Sequence, residues 1–269
     1  MNKVSLDTIE LAYEDQGSGQ PVVLLHGYPL DSRMWEPQFA ALSQVGRVIA
    51  PDLRGFGKSS QSPEDAASGV SMRQYAVDVA ELLDAINVTE PVILCGFSMG
   101  GYILWQFLKQ FPNRVKAFVA CDTRIIADTA EARQGRLKTA GEVMNTGVEP
   151  IITAMLPKLL SEQTRNTRPD VVAQLVAIMH GSPPAAIAAS LRGMADRPDV
   201  TADLASFTQP ALVLVGADDA ISSSKEMRGI AEKLPNAEFV EIPKAGHMSN
   251  MENPQAFNEA LTAFIKKNS

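Results

Sequence analysis

Short apolar runs alternate with helical stripes along most of the chain. Continuous apolar runs, typical of strands covered on both faces, predict strands at residues 22–25, 45–50, 92–95, 115–120, 211–215 and 238–242. Amphipathic stripes at three- and four-residue spacing predict helices at residues 35–42, 71–87, 102–108, 227–234 and 257–265. Ser71 is the expected N-cap of the second of these helices. This alternation indicates an α/β fold with a mostly parallel sheet and right-handed crossovers.

The N-terminal segment has a different pattern. Two strand-like runs, at residues 4–6 and 9–13, are separated by Asp7-Thr8 and followed by a glycine-containing turn at residues 16–19. Such closely spaced runs are typical of antiparallel strands. We therefore expect a hairpin at one edge of the sheet.

The strand–helix alternation stops between residues 124 and 207. This segment contains no strand pattern, but helical patterns at residues 171–179 and 185–194 are separated from other short patterns by breaks. The breaks are glycines and prolines: Gly135, Gly141, Gly147, Pro150, Pro157, Pro169, Pro183, Pro184 and Pro198. We expect an α/β core formed by residues 1–123 and 208–269, and a helical cap, residues 124–207, over one end of the sheet.

The junction after the predicted strand at residues 92–95 fits the pattern of a nucleophile elbow. Residues 96–100 read Gly-Phe-Ser-Met-Gly, the G-x-S-x-G pattern in which a serine stands on a sharp strand-to-helix turn with its hydroxyl exposed. The pentapeptide alone arises by chance in about one chain of this length in ten, so an ordinary tight turn is the alternative. The preceding strand and following helix favour Ser98 as a nucleophile.

A serine nucleophile needs a base, usually a histidine, and the chain has three. His247 follows the last predicted strand and is preceded by Gly246, so we assign it as the base. His180 lies in the predicted cap, where a helix-end or surface role is expected. His26 precedes the serine, contrary to the chain order Ser, acid, His of hydrolases with this architecture, and is expected to brace its own loop.

The acid that orients the base is expected after the predicted strand at residues 211–215. Asp218 and Asp219 both follow it; Asp219 is assigned as the acid, with Asp218 bonded within the loop. A turn or helix-capping role is the alternative for both. The oxyanion of a tetrahedral intermediate needs two N–H donors, and we expect the backbone amides of Met99 and Tyr28 to supply them.

Composition narrows the class of protein. The chain has 269 residues, 45% of them hydrophobic, and a formal net charge of −7. Its basic residues form no run, so nucleic-acid binding is not expected. Neither a signal-peptide pattern nor a membrane-spanning run is present, so we expect a cytoplasmic protein without membrane contact. Cys95 and Cys121 are expected to be free buried thiols, with a disulfide between them as the alternative.

Over essentially its whole length the chain resembles the α/β-hydrolase fold family. Five segments carry the resemblance in family order: residues 26–29, 51–59, 96–101, 216–219 and 246–248. The Gly-Phe-Ser-Met-Gly-Gly elbow and the Gly-His-Met-x-Asn-x-Glu-Asn-Pro ending are similar to those of carboxylesterases and 3-oxoadipate enol-lactonases, with cofactor-free haloperoxidases close by. The resemblance implies a mostly parallel eight-stranded sheet flanked by helices, a helical cap and a Ser-Asp-His triad.

The resemblance also distinguishes this chain from other enzymes of the same fold. Haloalkane dehalogenases and epoxide hydrolases of this fold have an aspartate at the elbow, so Ser98 argues against an alkyl-enzyme mechanism. Arg54 and Arg124 are expected to be structural, with a contact to a substrate carboxylate as the alternative for each.

The expected function is that of a serine hydrolase that cleaves a small carboxylic ester or lactone through an acyl-enzyme. No metal or organic cofactor is expected, and the partner is a small-molecule substrate; the oligomeric state is left open. The alternatives are a cofactor-free haloperoxidase or perhydrolase, a C–C bond hydrolase, and a ligand receptor with residual hydrolase activity.

Overall fold

The computed structural model describes residues 1–269 and contains one eight-stranded sheet. The strands are β1 (Asn2–Ser5), β2 (Glu10–Gln16), β3 (Pro21–Leu25), β4 (Arg47–Pro51), β5 (Val92–Phe97), β6 (Val115–Cys121), β7 (Ala211–Gly216) and β8 (Ala237–Ile242). Their order in the sheet is β1-β2-β4-β3-β5-β6-β7-β8. The pairs β1–β2 and β2–β4 are antiparallel and the other neighbours are parallel, which confirms the mostly parallel sheet and the edge hairpin.

Twelve α-helices accompany the sheet. They are α1 (Glu36–Leu42), α2 (Asp65–Ser68), α3 (Met72–Ala85), α4 (Met99–Gln110), α5 (Ala130–Thr146), α6 (Glu149–Leu159), α7 (Glu162–Thr167), α8 (Pro169–His180), α9 (Pro184–Ala195), α10 (Ser224–Ala231), α11 (Ser249–Glu252) and α12 (Pro254–Asn268). Three short 3-10 helices cover Ser32–Trp35, Pro112–Arg114 and Thr201–Ser206. Ser71 caps α3 as predicted, since its hydroxyl accepts the N–H of Gln74 at 3.0 Å.

The apolar strand runs are explained by a core on each face of the sheet. Along β3, Val23 and Leu25 pack into one buried cluster, whereas Val22 and Leu24 pack into the other. Alternate side chains of a strand point to opposite faces, so a strand covered on both sides must be apolar throughout. Cys95 and Cys121 are free buried thiols, as predicted, with their sulfur atoms 3.6 Å apart.

Five helices, α5 to α9, lie between β6 and β7 in the chain, and no strand interrupts them. The sequence patterns at residues 171–179 and 185–194 correspond to α8 and α9. Gly135 and Gly141 were wrongly interpreted as breaks, because both lie inside α5, where a Cβ added at either position would meet nothing within 4 Å. Pro150, Pro169 and Pro184 lie in the first turn of a helix. Backbone N–H groups in the first turn have no partner within the helix, so the N–H that proline lacks is not missed there.

Helix α5 was not predicted from the sequence because it has almost no apolar stripe. Only Ala140 and Val143 of its 17 residues are buried. No single helix in the structure is long and apolar enough to cross a membrane; α8 and α9 reach the required length and composition only together, as a pair bent by 92°.

The register of the sheet positions the candidate loops. In the parallel pairing of β3, β5 and β6, Leu25 lies beside Gly96 and Phe97 lies beside Cys121. Gly216 lies beside Ile242 in the pairing of β7 with β8. The carboxyl ends of these strands therefore meet at one edge of the sheet, where ligands bind in open α/β folds.

Candidate active site

Ser98 occupies the sharp turn between β5 and α4. Its φ of 51° and ψ of −111° are unusual for a residue with a side chain, as is expected at a strained functional turn. A Cβ at Gly100 would lie 2.3 Å from the carbonyl oxygen of Leu25, so only glycine permits this helix to start so close to β3. The turn thus holds the Ser98 hydroxyl at the edge of the sheet.

His247 lies against Ser98 although 149 positions separate them in the sequence. Its Nε2 is 2.9 Å from Ser98 Oγ, and its imidazole is almost fully buried. The loop after β8 presents this ring, and the carbonyl of Ala245 in the same loop accepts the N–H of Asp218 at 2.8 Å. The loops after β7 and β8 are therefore joined directly.

Asp219 completes the chain of contacts. Its Oδ2 is 2.9 Å from His247 Nδ1 and accepts the Ser222 hydroxyl at 2.6 Å, while Oδ1 accepts the N–H groups of Ile221 and Ser222 at 2.7 and 3.1 Å. Burial alone would raise the pKa of the Asp219 carboxyl, but the charge of His247 and these hydrogen bonds together lower it below its ordinary value. The carboxylate is therefore ionised and fixed beside the imidazole.

The other acid and histidine candidates lie apart from this contact chain. The side chain of Asp218 is exposed, and only its backbone N–H is bonded in the loop. His180 is exposed at the end of α8, 3.5 Å from Glu149. His26 is buried, and its Nε2 accepts the N–H of Leu53 at 2.9 Å while Nδ1 donates to the carbonyl of Gly27 at 3.0 Å, an arrangement that braces its loop. Burial lowers the pKa of His26, which keeps the ring neutral for this role.

The two residues that are expected to supply the N–H donors both lie near Ser98. Met99 is the first residue of α4, where a helix has no carbonyl to pair with its N–H groups. The loop of Tyr28 approaches closely, since a Cβ at Gly27 would lie 3.3 Å from Ser98 Cβ. No turn or loop hydrogen bond uses the amide of either residue. Both amides are therefore free to bind an oxygen atom.

Sequence reasoning missed Asp122. This buried residue follows β6 with a φ of 44°, its Oδ1 accepts the N–H of Gly216 at 2.8 Å, and its Oδ2 accepts the Ser249 hydroxyl. Burial, and next the charge of Asp219, raise the pKa of Asp122 well above its ordinary value. The signal was present, because an aspartate directly after a buried strand lies at the same edge as the other candidates.

Asp122, Asp219 and His247 are also the one group in the structure with metal-ligand geometry, their ligating atoms lying within 4.8 Å of one another. Each carboxylate here already accepts hydrogen bonds from protein donors, including Gly216 N–H and the hydroxyls of Ser222 and Ser249. The side chains of Asp122, Asp219 and His247 therefore fit a hydrogen-bond network around the imidazole.

Ser98 and His247 open into a cavity of about 610 Å³. Helices α5, α6 and α9 supply most of its wall, which is apolar around Val143, Ile151 and Met155. Tyr28 and Arg136 are among its polar residues. A cavity of this size is suited to a small organic ligand.

Neither arginine considered from the sequence lines this cavity. Arg54 is buried and makes a bidentate pair with Asp78 at 2.8 and 2.7 Å, and Arg124 donates to Glu226 at 2.8 Å. Both therefore have structural partners. Arg136, which does line the cavity, was missed because α5 itself was not predicted.

The chain is similar in sequence or structure to several other proteins. A sequence profile described as alpha/beta hydrolase fold matches residues 20–254. The protein called non-heme bromoperoxidase BpoC in Mycobacterium tuberculosis H37Rv is 32% identical over 265 residues, which cover 96% of this chain and 98% of that protein. A thermophilic esterase from Thermogutta terrifontis, solved with malate bound, is 38% identical with a TM-score of 0.97 and 100% coverage of both chains. The enol-lactonase from Burkholderia xenovorans LB400 is 25% identical with a TM-score of 0.88, covering 98% of this chain and 99% of that one.

Proposed function

Because this chain belongs to the α/β-hydrolase fold family, we propose that it is a serine hydrolase acting on small carboxylic esters or lactones. The similar esterase and enol-lactonase support action on an ester bond. The observation that carries the serine mechanism is the continuous contact from Ser98 Oγ to His247 Nε2 and from His247 Nδ1 to Asp219 Oδ2, each 2.9 Å long. Ser98 and His247 both line the cavity.

In the proposed mechanism His247 Nε2 takes the proton of the Ser98 hydroxyl as the oxygen attacks the carbonyl carbon. Asp219 holds the proton on Nδ1 and stabilises the imidazolium that forms. The amides of Tyr28 and Met99 bind the oxyanion of the tetrahedral intermediate. His247 then protonates the departing alcohol oxygen, and water attacks the acyl-enzyme by the same route to release the acid and restore Ser98.

We further propose that residues 124–207 act as a cap over a core of residues 1–123 and 208–269. The support is that α5, α6 and α9 contribute to the wall of the cavity that contains Ser98. A covered, largely apolar site limits water around the reacting carbonyl and strengthens the electrostatic interactions there. The mechanism uses protein groups and water alone.

The test is the hydrolysis of p-nitrophenyl acetate and butyrate by the wild type and by Ser98→Ala. We expect the substitution to remove essentially all activity above background, with a circular dichroism spectrum like that of the wild type. Ser206→Ala changes an exposed serine of the 3-10 helix Thr201–Ser206 that does not line the cavity; it is the matched control and is expected to keep full activity. Equal rates for the wild type and Ser98→Ala would refute the serine mechanism.

A second candidate reaction is perhydrolysis, favoured by the similarity to the bromoperoxidase BpoC over 96% of this chain. In it hydrogen peroxide takes the place of water at the acyl-enzyme, so that the product is a peracid, which then oxidises bromide. The test is bromination of monochlorodimedone in the presence of acetate, bromide and hydrogen peroxide. Perhydrolysis requires that the Ser98→Ala variant lose this bromination together with its esterase activity.

A further inference from the structure

The hydroxyl of Tyr28 is a buried polar group without a partner. Tyr28 is 8% exposed, its ring lines the cavity that contains Ser98, and its Oη makes no hydrogen bond in the protein. A buried hydroxyl left unpaired costs free energy, so such a group at a binding cavity indicates a bond made to a ligand. Burial raises the pKa of the phenol, and the positive charge of Arg136 opposes this only in part, so the group remains a donor.

Arg136 also lines this cavity, and its positive charge is not fully neutralised by its partner. Its Nε donates to Asp128 at 2.6 Å and its Nη1 contacts the sulfur of Met194 at 3.6 Å, while its Nη2 donates no hydrogen bond within the protein. Asp128 also pairs with Arg197 at 2.6 Å. The side chains of Asp128 and Arg197 are both buried. One buried carboxylate is therefore shared between two guanidinium groups.

The shared carboxylate leaves this cluster with a formal charge of +1. Arg197 lies under the ring of Tyr102, 4.5 Å from its centroid, and that ring is also part of the cavity wall. Two further charged residues, Glu142 and Lys158, line the cavity, but both are exposed and their formal charges cancel. An uncompensated, half-buried guanidinium is strongly attractive to an anion because little water competes for it.

We propose that Tyr28 Oη and Arg136 Nη2 form an anion subsite in the cavity next to Ser98, and that the substrate is an ester or lactone that carries a carboxylate. The inference rests on the proposed hydrolase function for the identity of the reacting bond, but the subsite binds an anion whether or not Ser98 is a nucleophile. Tyr28 thus has two separate duties, with its amide turned to the oxyanion and its hydroxyl to the carboxylate.

Binding is measured first, by calorimetric titration of the Ser98→Ala variant with two matched pairs of esters. Monoethyl succinate and ethyl levulinate differ in having a carboxylate or a methyl ketone on the acyl side, and acetoxyacetate and acetoxyacetone differ in the same way on the alcohol side. We expect the anion of at least one pair to bind about tenfold tighter than its neutral partner, the scale of one charge-assisted hydrogen bond. Equal binding within both pairs overturns the subsite.

The variants then assign the preference to residues. Arg136→Met is expected to remove the preference for the anion, and Tyr28→Phe to reduce it about fivefold or more, because each loses a donor to a charged acceptor. Tyr28→Phe breaks no hydrogen bond of the folded protein, so it remains informative if Arg136→Met is unstable. The matched control is Arg133→Met, one turn earlier on α5, where an exposed arginine pairs with Asp196 away from the cavity. A preference that survives Tyr28→Phe and Arg136→Met overturns the assignment.

Measurements of ester turnover distinguish the proposed anion subsite from the proposed hydrolase function. If the wild type hydrolyses the preferred anionic ester with a higher kcat/KM than its neutral partner, and Arg136→Met lowers only the former, both proposals stand. If Ser98→Ala binds the anion selectively while the wild type hydrolyses neither ester of any pair, the hydrolase proposal fails and the subsite remains. If the wild type hydrolyses both esters of each pair equally well, the subsite fails and the hydrolase proposal remains.

Discussion

His247 Nδ1 and Asp219 Oδ2 lie 2.9 Å apart, and the same carboxylate oxygen also accepts the hydroxyl of Ser222. Four hydrogen bonds therefore converge on one buried carboxylate, counting the N–H groups of Ile221 and Ser222 on its other oxygen. The adjacent Asp218 makes none of these contacts. This difference between neighbours makes the assignment of the acid open to a direct test.

Asp219→Asn is expected to lower kcat by about 10³- to 10⁴-fold, since an amide can hold the imidazole in the wrong tautomer and provides no charge to stabilise its protonated form. Ester hydrolysis at neutral pH, with folding followed by circular dichroism, measures the effect. Asp218→Asn is the matched control and should stay within about twofold of the wild type because its side chain is exposed. Comparable losses in both variants would contradict the assignment.

Asp122→Asn is expected to leave kcat/KM nearly unchanged at neutral pH while changing how stability depends on pH. The folded-state pKa of Asp122 is raised above its unfolded value, so the folded protein binds this proton more tightly. Stability from this group is fully present below the unfolded pKa of about 4 and is lost as the pH rises through the folded pKa. An asparagine does not titrate and lacks this loss.

The difference in Tm between Asp122→Asn and the wild type should therefore become more favourable to the variant as the pH rises. Thermal melts across the range from about pH 5 to pH 8 measure it. The control is Asp122→Ala, which leaves the N–H of Gly216 and the hydroxyl of Ser249 without their acceptor and should be less stable at every pH. A difference that does not change with pH would show that Asp122 is already ionised.

Gly100→Ala and Gly141→Ala should have opposite effects on stability. A Cβ at Gly100 meets the backbone oxygen of Leu25 at 2.3 Å and cannot be relieved by a rotamer change, so we expect a loss of several kcal/mol and of activity. A Cβ at Gly141, in the exposed part of α5, meets nothing within 4 Å, and alanine should stabilise the helix by about 0.5–1 kcal/mol. Urea unfolding of both variants tests this; tolerance of alanine at position 100 would contradict the close approach of α4 to β3.

Arg54→Met should destabilise the protein by about 3–5 kcal/mol, because it leaves the carboxylate of Asp78 buried without its partner. Arg133→Met, which removes an exposed pair with Asp196, should change stability by less than about 1 kcal/mol. Denaturant unfolding provides the comparison. Where Arg54→Met is still folded, its KM for anionic and neutral esters should equal that of the wild type; a KM raised for the anion alone would restore the substrate-binding alternative.

Much of the fold was predictable because buried positions produce a local pattern of apolar residues along the sequence. The apolar runs of β3 and β5 and the stripe of α3 each follow from which faces are covered, and the strand bounds differ from the predicted ones by only a few residues. The α/β-hydrolase resemblance and the prediction of an ester-acting hydrolase are confirmed by the matching family profile and the similar esterase and enol-lactonase. Helix α5 was not predictable in this way, because only Ala140 and Val143 are buried.

The sequence by itself determined the strand order along the chain, the elbow at Ser98 and the loop that carries His247, since periodicity and glycine spacing are local properties. Only the tertiary structure placed Asp219, and not Asp218, against His247, brought Asp122 beside Asp219, and placed Arg136 and Tyr28 in the wall of the same cavity. These relationships join residues that are far apart in the chain, and no local pattern records which side chain of a loop turns inward. They arise when parallel strands align their carboxyl ends and helices between β6 and β7 supply residues to the wall of the same cavity.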